Sequence, residues 1–351
     1  MNILLSDAIA FCRAQLAALG TPAHIAVDVA EHLVEADRAG YPSHGISILP
    51  KYRQAIDDGH LHAAAEPQCR RADGVQLAYD GVLGFGQHVG KRAFAAAVER
   101  ARLGGLCAVT VAGTHHFGRM GHYGEQVSGQ GMVLLAWSNV IGRGPMVAPF
   151  GGSQARLTTN PVCFALPLPG GRPALVLDMA TSQIAINRAR ILAERGEPAA
   201  AGTLIDARGR PTTDPQVMFA DPPGVLLPFG GHKGYGLGLV TELLAGLLSG
   251  GGTVQPAHQH GASVATNNLF ALVIDPARFA DPQWIEREAA AYIDYLHACP
   301  PAPGFAAVQY PGEFEARNRA AHADFIEIDD PTWHALQALA SDLGTAPLAA
   351  G

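Results

Sequence analysis

Residues Val75-Gln76-Leu77-Ala78-Tyr79, then Gly84-Phe85-Gly86-Gln87-His88-Val89-Gly90, then an alanine-rich run over 93–102, form the stretch on which the fold turns. A strand, a glycine-rich turn and a helix are how a dinucleotide-binding βαβ unit begins. Two features set this stretch apart. Its spacing is GxGxxxG, not GxGxxG. The next strand, 106–111, runs into Ala112-Gly113-Thr114 and offers no acid to hold a ribose. The stretch therefore reads as a tight strand-to-helix turn in an α/β protein that lacks a Rossmann site.

Working outward, short apolar or β-branched runs at 106–111, 132–137, 162–166, 174–177 and 269–274 read as strands. Helices are expected at 182–193, with Ser182 as N-cap, and at 284–296. Residues 197–223 carry many Pro, Gly, Thr and Asp and read as a long irregular connection. Residues 237–248 are apolar on every face, which predicts a buried helix. Residues 1–60 read as helices, beginning with an amphipathic one at the N-terminus, and a last helix starts near Pro331. The expected organisation is a mixed α/β domain over 75–299 and a helical, substrate-side domain built from 1–74 and 300–351.

Composition narrows the function. The chain has 351 residues, 48% hydrophobic and 16% charged, which describes a compact protein with a large core. Its net charge of −7 comes from 31 acids against 24 Lys plus Arg, with no long basic run, so nucleic acid is an unsuitable partner. Five cysteines, at 12, 69, 107, 163 and 299, never form a CxxC pair and fit reduced thiols in a cytoplasmic protein. The N-terminus has no basic n-region of a signal peptide. The longest apolar stretch is too short to span a bilayer.

Five segments carry chemistry. Ser43-His44-Gly45 lies just past a helix in which Ile25, Val29, Leu33 and Ala36 recur at helical spacing, with Thr21 as N-cap, Pro22 at the first position and Gly40 at the end. A histidine in such a corner exchanges a proton near neutral pH, or bonds the corner's backbone. Thr114-His115-His116-Phe117-Gly118-Arg119-Met120-Gly121-His122 follows a strand, and its glycines permit close backbone approach to an anion, with Arg119 adding charge. His116 and His122 as zinc ligands are the rival reading, but no carboxylate or cysteine stands at a metal spacing nearby. Thr158-Thr159-Asn160-Pro161 places an asparagine before proline, which predicts an extended backbone presenting Thr and Asn to a ligand. Asp178-Met179-Ala180-Thr181-Ser182 ends a strand, where α/β proteins bind ligands. Gly230-Gly231-His232-Lys233-Gly234 opens the apolar helix, and its N–H groups and lysine suit a phosphate.

Together the segments resemble the type-2 malate/L-lactate dehydrogenase family, the non-Rossmann NAD(P)-dependent oxidoreductases. The matching stretches are SHG at 43–45, DG…GxGQ at 80–87, HFG at 116–118, TNP at 159–161, DMATS at 178–182, GHKGYGL at 231–237 and PGEFE at 311–315, in family order over nearly the whole chain. The stretch LIDARGRPTTDPQVM looks like the hydroxycarboxylate dehydrogenase branch. The resemblance implies a mixed, non-Rossmann sheet that binds the dinucleotide, a helical domain from both chain ends, and a homodimer. It implies reversible reduction of a 2-oxo acid to a 2-hydroxy acid with NAD or NADP, NAD being placed first, and a small-molecule substrate as partner. His44 would give the proton, supported by Ser43. His116, Gly118, Arg119 and Met120 would line the cofactor and active-site cleft. Thr159 would hold substrate. Asp178, Met179, Ala180, Thr181, Ser182, His232 and Lys233 would bind cofactor, with Pro311 and Gly312 beside a closing loop.

One position departs from the pattern. Relatives carry an arginine four residues after the histidine, and here that residue is Ile48. Arg119 or Arg143 is the candidate replacement for gripping the substrate carboxylate. An apolar Ile48 predicts a larger or more apolar 2-oxo acid than oxaloacetate. Three alternatives stand beside this reading: a reductase of cyclic imine carboxylates such as Δ1-piperideine-2-carboxylate, a cofactor-binding protein without turnover, and a zinc hydrolase using the 115–122 histidines.

Overall fold

The computed structural model describes residues 1–261 and 264–349. The chain begins with β1 (Asn2–Leu4), α1 (Leu5–Ala18), α2 (Ala23–Arg38) and α3 (Leu49–Asp57). There follow β2 (Gln68–Asp73), β3 (Gln76–Asp80), α4 (Gly86–Gly104), β4 (Leu106–Thr114), α5 (Met120–Ser128), β5 (Val133–Ile141), β6 (Val162–Leu166), β7 (Leu175–Met179) and α6 (Ile186–Arg195). After the short strands β8 (Leu204–Ile205), β9 (Pro211–Thr212) and β10 (Val225–Leu226) come α7 (His232–Ser249), β11 (Thr266–Ile274) and α8 (Pro282–His297). The chain closes with α9 (Glu313–Ala321), β12 (Phe325–Glu327) and α10 (Asp330–Leu343).

Seven strands form one mixed sheet in the order β2-β3-β4-β11-β5-β6-β7. Only the β3–β4 pair is parallel. This excludes the mostly parallel Rossmann sheet. The late strand β11 enters between β4 and β5, and its alternating side chains Leu269, Ala271 and Val273 are fully buried. Helices α4 and α5 cover that face through Val89, Phe94, Val98 and Tyr123. A second core joins the chain ends: Leu33, Leu49 and Tyr52 pack with Phe85, Ile326 and Leu336. β1 pairs with β12 in the same region. No helix among the described residues is long and apolar enough to cross a membrane.

Several local expectations are corrected. The N-terminal helix starts only at Leu5, because Asn2–Leu4 pairs with Phe325–Glu327 near the other end of the chain, which no local pattern announces. Pro22 takes the N-cap position of α2 and Thr21 makes no capping bond. α6 begins at Ile186 after Ala185, not at Ser182, whose hydroxyl donates to the Ile184 carbonyl at 2.7 Å. Strand β2, which the sequence left among the end segments, belongs to the main sheet; its six residues are all exposed and show no apolar alternation to read.

The helix expected to be buried is buried on one side only. α7 turns Gly238, Thr241, Glu242, Ala245 and Gly246 to the sheet, while Leu239, Val240, Leu243, Leu247 and Leu248 stay exposed. Small residues let the helix axis approach the strands, so the large apolar ones project outward. Glu242 on the inner face is satisfied by the Asn139 and Asn160 amides and the Val254 N–H, each at 2.8 Å.

Candidate active site

The corner that carries His44 is two 3-10 turns, Pro42–His44 and Ile46–Ile48, between α2 and α3. Gly40 ends α2 with φ +94°, as its place predicted. The buried Asp37 carboxyl accepts the Ile46 N–H at 2.8 Å and fixes the second turn. A Cβ on Gly45 would overlap that carboxyl, so glycine is required there. Burial pushes the Asp37 carboxyl up to about 8, so it holds the corner as a neutral acid near neutral pH.

His44 Nδ1 lies 2.9 Å from the Ser43 hydroxyl. Its ring stacks against His116, with centroids 5.6 Å apart and 23° between planes. Burial, then the Arg119 and Lys51 charges, hold the His44 imidazole down at about 4, and His116 is pushed well below its ordinary value by burial and its histidine neighbours. Both rings are therefore neutral near pH 7. The Tyr52 hydroxyl meets His116 Nδ1 at 3.1 Å and accepts from the Gln87 amide. A hydroxyl that accepts from Gln87 can donate to Nδ1, the arrangement that places the proton of neutral His116 on Nε2.

The glycine-rich turn before α4 serves this site rather than a phosphate. A Cβ on Gly86 would overlap the His116 carbonyl, so glycine brings the first turn of α4 against His115–His116 and delivers Gln87 to Tyr52. Val82 and Leu83 reach positive φ of 51° and 54° in the preceding turn, where Val82 N–H bonds Asp80 at 2.8 Å.

Two adjoining cavities share His44, Gly118, Met120, Thr159, Pro161 and Ala185 in their walls. The smaller, about 200 Å³, adds His116, Ile48, Ala55, Val140, Lys51 and Arg143. Neither Lys51 nor Arg143 is in an ion pair among the described residues, and the buried Arg143 Nε has no partner. Burial lowers both groups from their ordinary values, and the Arg190 charge adds to it; for Lys51 the Arg143 charge adds further and Glu194 opposes. Two unneutralised cations beside two neutral histidines make a receptor for one small anion.

The larger cavity, about 430 Å³, is lined by Arg119, Asp178, Met179, Ala180, Ser182 and Phe229 beyond the shared residues. Met120, Met179 and Phe229 offer flat apolar surface, while Asp178, Ser182 and Gln183 offer polar groups, a mixture suited to aromatic rings and ribose hydroxyls. Asp178 accepts the Gly121 N–H at the start of α5 at 2.6 Å, and burial raises its carboxyl to about 6. Thr181 is buried and ties its N–H and hydroxyl to the Thr159 carbonyl at 2.8 and 3.1 Å, so it positions Thr159.

Other expected residues are engaged within the fold or fall elsewhere. Arg119, in the larger cavity's wall, is buried and bound through both terminal nitrogens to Glu125, at 2.8 and 3.2 Å, a carboxylate it shares with Arg319. Asn160 is neither extended nor presented to a ligand: its φ is +36° and its buried amide is taken by Gly238 and Glu242. The tertiary bonds to α7 override the pre-proline preference. His232 and Lys233 are exposed at the start of α7, outside both cavity walls. Pro311 accepts the Val176 N–H at 2.8 Å and Gly312 packs on the Ala174 carbonyl, which puts both at the sheet edge. His122 lies tilted against His32 with ring centroids 4.3 Å apart, and among the described residues neither it nor His116 belongs to a group of three metal-ligating side chains. Lys51, Tyr52, Gln87 and Asp37 were not identified as site residues; Lys51 and Tyr52 stand about two helical turns after His44, a spacing that signals a shared face only once the corner is known.

The sequence model of the malate/L-lactate dehydrogenase family matches residues 3–337. The chain belongs to this family. Among its relatives, an L-lactate dehydrogenase of Cupriavidus necator is 56% identical over 99% of both chains. Hydroxycarboxylate dehydrogenase B of Escherichia coli K12 is 35% identical over 95% of this chain and 92% of its own. The solved structure of a putative malate/lactate dehydrogenase from E. coli superposes with a TM-score of 0.94 at 34% identity, covering 99% and 96% of the two chains. This malate/L-lactate dehydrogenase family member is thus an oxidoreductase of CH–OH groups that interconverts 2-oxo and 2-hydroxy acids with a nicotinamide cofactor.

Proposed function

We propose that the chain reduces small monocarboxylic 2-oxo acids, pyruvate and larger apolar homologues among them, to 2-hydroxy acids, and catalyses the reverse oxidation. The observation that carries this is the pair of unneutralised cations, Lys51 and Arg143, in one cavity with His44 and His116. They take the place of the arginine replaced by Ile48 and hold the substrate carboxylate. Ile48, Ala55 and Val140 leave an apolar wall for its side chain. The name of the 56% identical relative supports pyruvate and L-lactate as one substrate pair.

The nicotinamide cofactor supplies or accepts the hydride when bound. His44 exchanges the proton with the substrate oxygen, and Ser43 orients its ring through Nδ1. His116, protonated on Nε2, donates a hydrogen bond to the same oxygen, and the Thr159 hydroxyl fixes the substrate. Neutral His44 is the form required to accept the hydroxyl proton in oxidation; in reduction it must first gain a proton, which the substrate carboxylate favours by offsetting Lys51. Asp178, Met179, Ala180, Ser182, Gly118, Arg119 and Met120 form the cofactor's walls, with Thr181 behind them holding Thr159. Among the described residues the charged groups in that wall are Asp178 and an Arg119 bonded to Glu125, and the acid suits ribose hydroxyls better than a 2′-phosphate, which supports NAD over NADP. The exposed apolar face of α7 supports a homodimer, and five thiols without a disulfide support a reducing, cytoplasmic setting.

A panel of pyruvate, 2-oxobutyrate, phenylpyruvate, oxaloacetate and Δ1-piperideine-2-carboxylate, each with NADH and NADPH, tests the proposal by loss of cofactor absorbance. Monocarboxylic oxo acids with NADH should give the highest kcat/KM. Equal turnover of oxaloacetate and phenylpyruvate, or preference for the cyclic imine, would overturn it.

A further inference from the structure

A second cluster of metal-binding side chains lies away from these cavities. His24 in the first turn of α2, Glu66 between α3 and β2, and His88 in the first turn of α4 place one donor atom each within 4.8 Å of one another. We infer that His24, Glu66 and His88 form a binding site for a first-row divalent cation of the zinc type, joining α2 to α4. One Glu66 oxygen bonds His24 Nε2 and the other lies 2.9 Å from His88 Nε2. Two imidazoles and one carboxylate are a zinc-type donor set with a fourth position open to water, and nitrogen donors disfavour calcium and magnesium.

The independent observation is on the far side of His88. Its side chain is 1% exposed, and Asp28 holds its Nδ1 at 2.7 Å. A carboxylate on one imidazole nitrogen fixes the ring and aims the other nitrogen outward, as the outer shell of metal-bound histidines does. Asp28 is itself anchored by Lys91 at 2.6 Å, and Lys91 also reaches Glu31 at 3.2 Å, so the nearby cation is engaged away from the cluster. The His24 and Glu66 side chains are 60% and 50% exposed and free to close around an ion on the rigid His88. Donors bonded at about 2.0–2.2 Å stand roughly 3.3 Å apart in a tetrahedral site, so small side-chain shifts suffice. The site owes nothing to the dehydrogenase reaction and would act as a staple between the end-segment core and the sheet's covering helix.

The test uses the full-length enzyme stripped with chelator and titrated with cobalt(II) and zinc chloride. Wild type should bind one ion per chain, with a cobalt spectrum of nitrogen and oxygen ligation that lacks thiolate charge transfer, and its unfolding temperature should rise with zinc. H24A and E66Q alter exposed side chains, so they should fold and keep oxo acid reduction, yet bind at least tenfold more weakly and lose the zinc-dependent rise. D28N should weaken binding by about 10–100-fold. Absence of stoichiometric binding in wild type, equal affinity in H24A, or thiolate bands pointing to Cys69 or Cys299 would overturn the assignment.

Discussion

At the residue scale, the chemistry depends on a few groups whose charge states are set by burial. His44→Ala should lower turnover by about 10²–10⁴-fold, the usual contribution of a positioned acid or base, while NADH affinity measured by fluorescence titration stays near wild type. The pH dependence differs between the two directions. Because the His44 value in the free enzyme is about 4, kcat/KM for 2-hydroxy acid oxidation should be nearly flat from pH 6 to 8. Reduction needs the protonated ring, so its kcat/KM should fall by up to about tenfold per pH unit over that range. A reduction profile that rises with pH would reject His44 as the proton donor. Removing the Arg143 charge with R143M should lower kcat/KM for oxo acids by about 10–100-fold, the loss of a charge-assisted bond to the carboxylate. K51M should act in the same direction.

At the element scale, the corner between α2 and α3 is specified by the contact between Gly45 and Asp37. G45A should push the corner off Asp37 and destabilise the protein by about 1–3 kcal/mol, as overpacking does, with activity falling further because His44 moves. Asp37 makes a separate stability prediction. Its folded-state value of about 8 lies above that of an unfolded aspartate, so its contribution is full below about pH 4 and is lost as pH rises through 8. The slope is at most about 1.4 kcal/mol per pH unit. D37N keeps the shape of the neutral acid and should flatten the decline of the denaturation midpoint between pH 5 and 8. Equal slopes in both proteins would show that Asp37 is ionised in the fold. The sequence located the corner, because Gly40 ends a clearly periodic helix. It did not reveal the role of Asp37, since nothing in a local pattern tells a buried acid from the solvated ones on the same helix.

At the scale of the whole molecule, the outward face of α7 should govern assembly. Light scattering should find twice the chain mass for wild type, and L243E with L247E should shift it to one chain. A wild-type monomer would reject the homodimer. Residues 237–248 were legible as a helix because an apolar run of that length, broken only by Thr241 and Glu242, has few other solutions. Their exposure was not legible, because burial depends on which side chains meet the sheet, and the inward ones are the small and polar residues. The sequence by itself determined the α/β class, the lack of a Rossmann fingerprint, most strands and helices and the positions of His44, His116, Thr159 and Asp178. These are set by short-range periodicity, turn chemistry and motifs of a few residues. Only the tertiary structure decided that β11 inserts between β4 and β5, that Glu125 binds Arg119, that Glu242 and Gly238 claim Asn160, and that Lys51 and Arg143 stand beside the histidines outside any ion pair among the described residues. Each of these is settled by contacts between residues far apart in the chain, where burial and pairing fix charge and orientation.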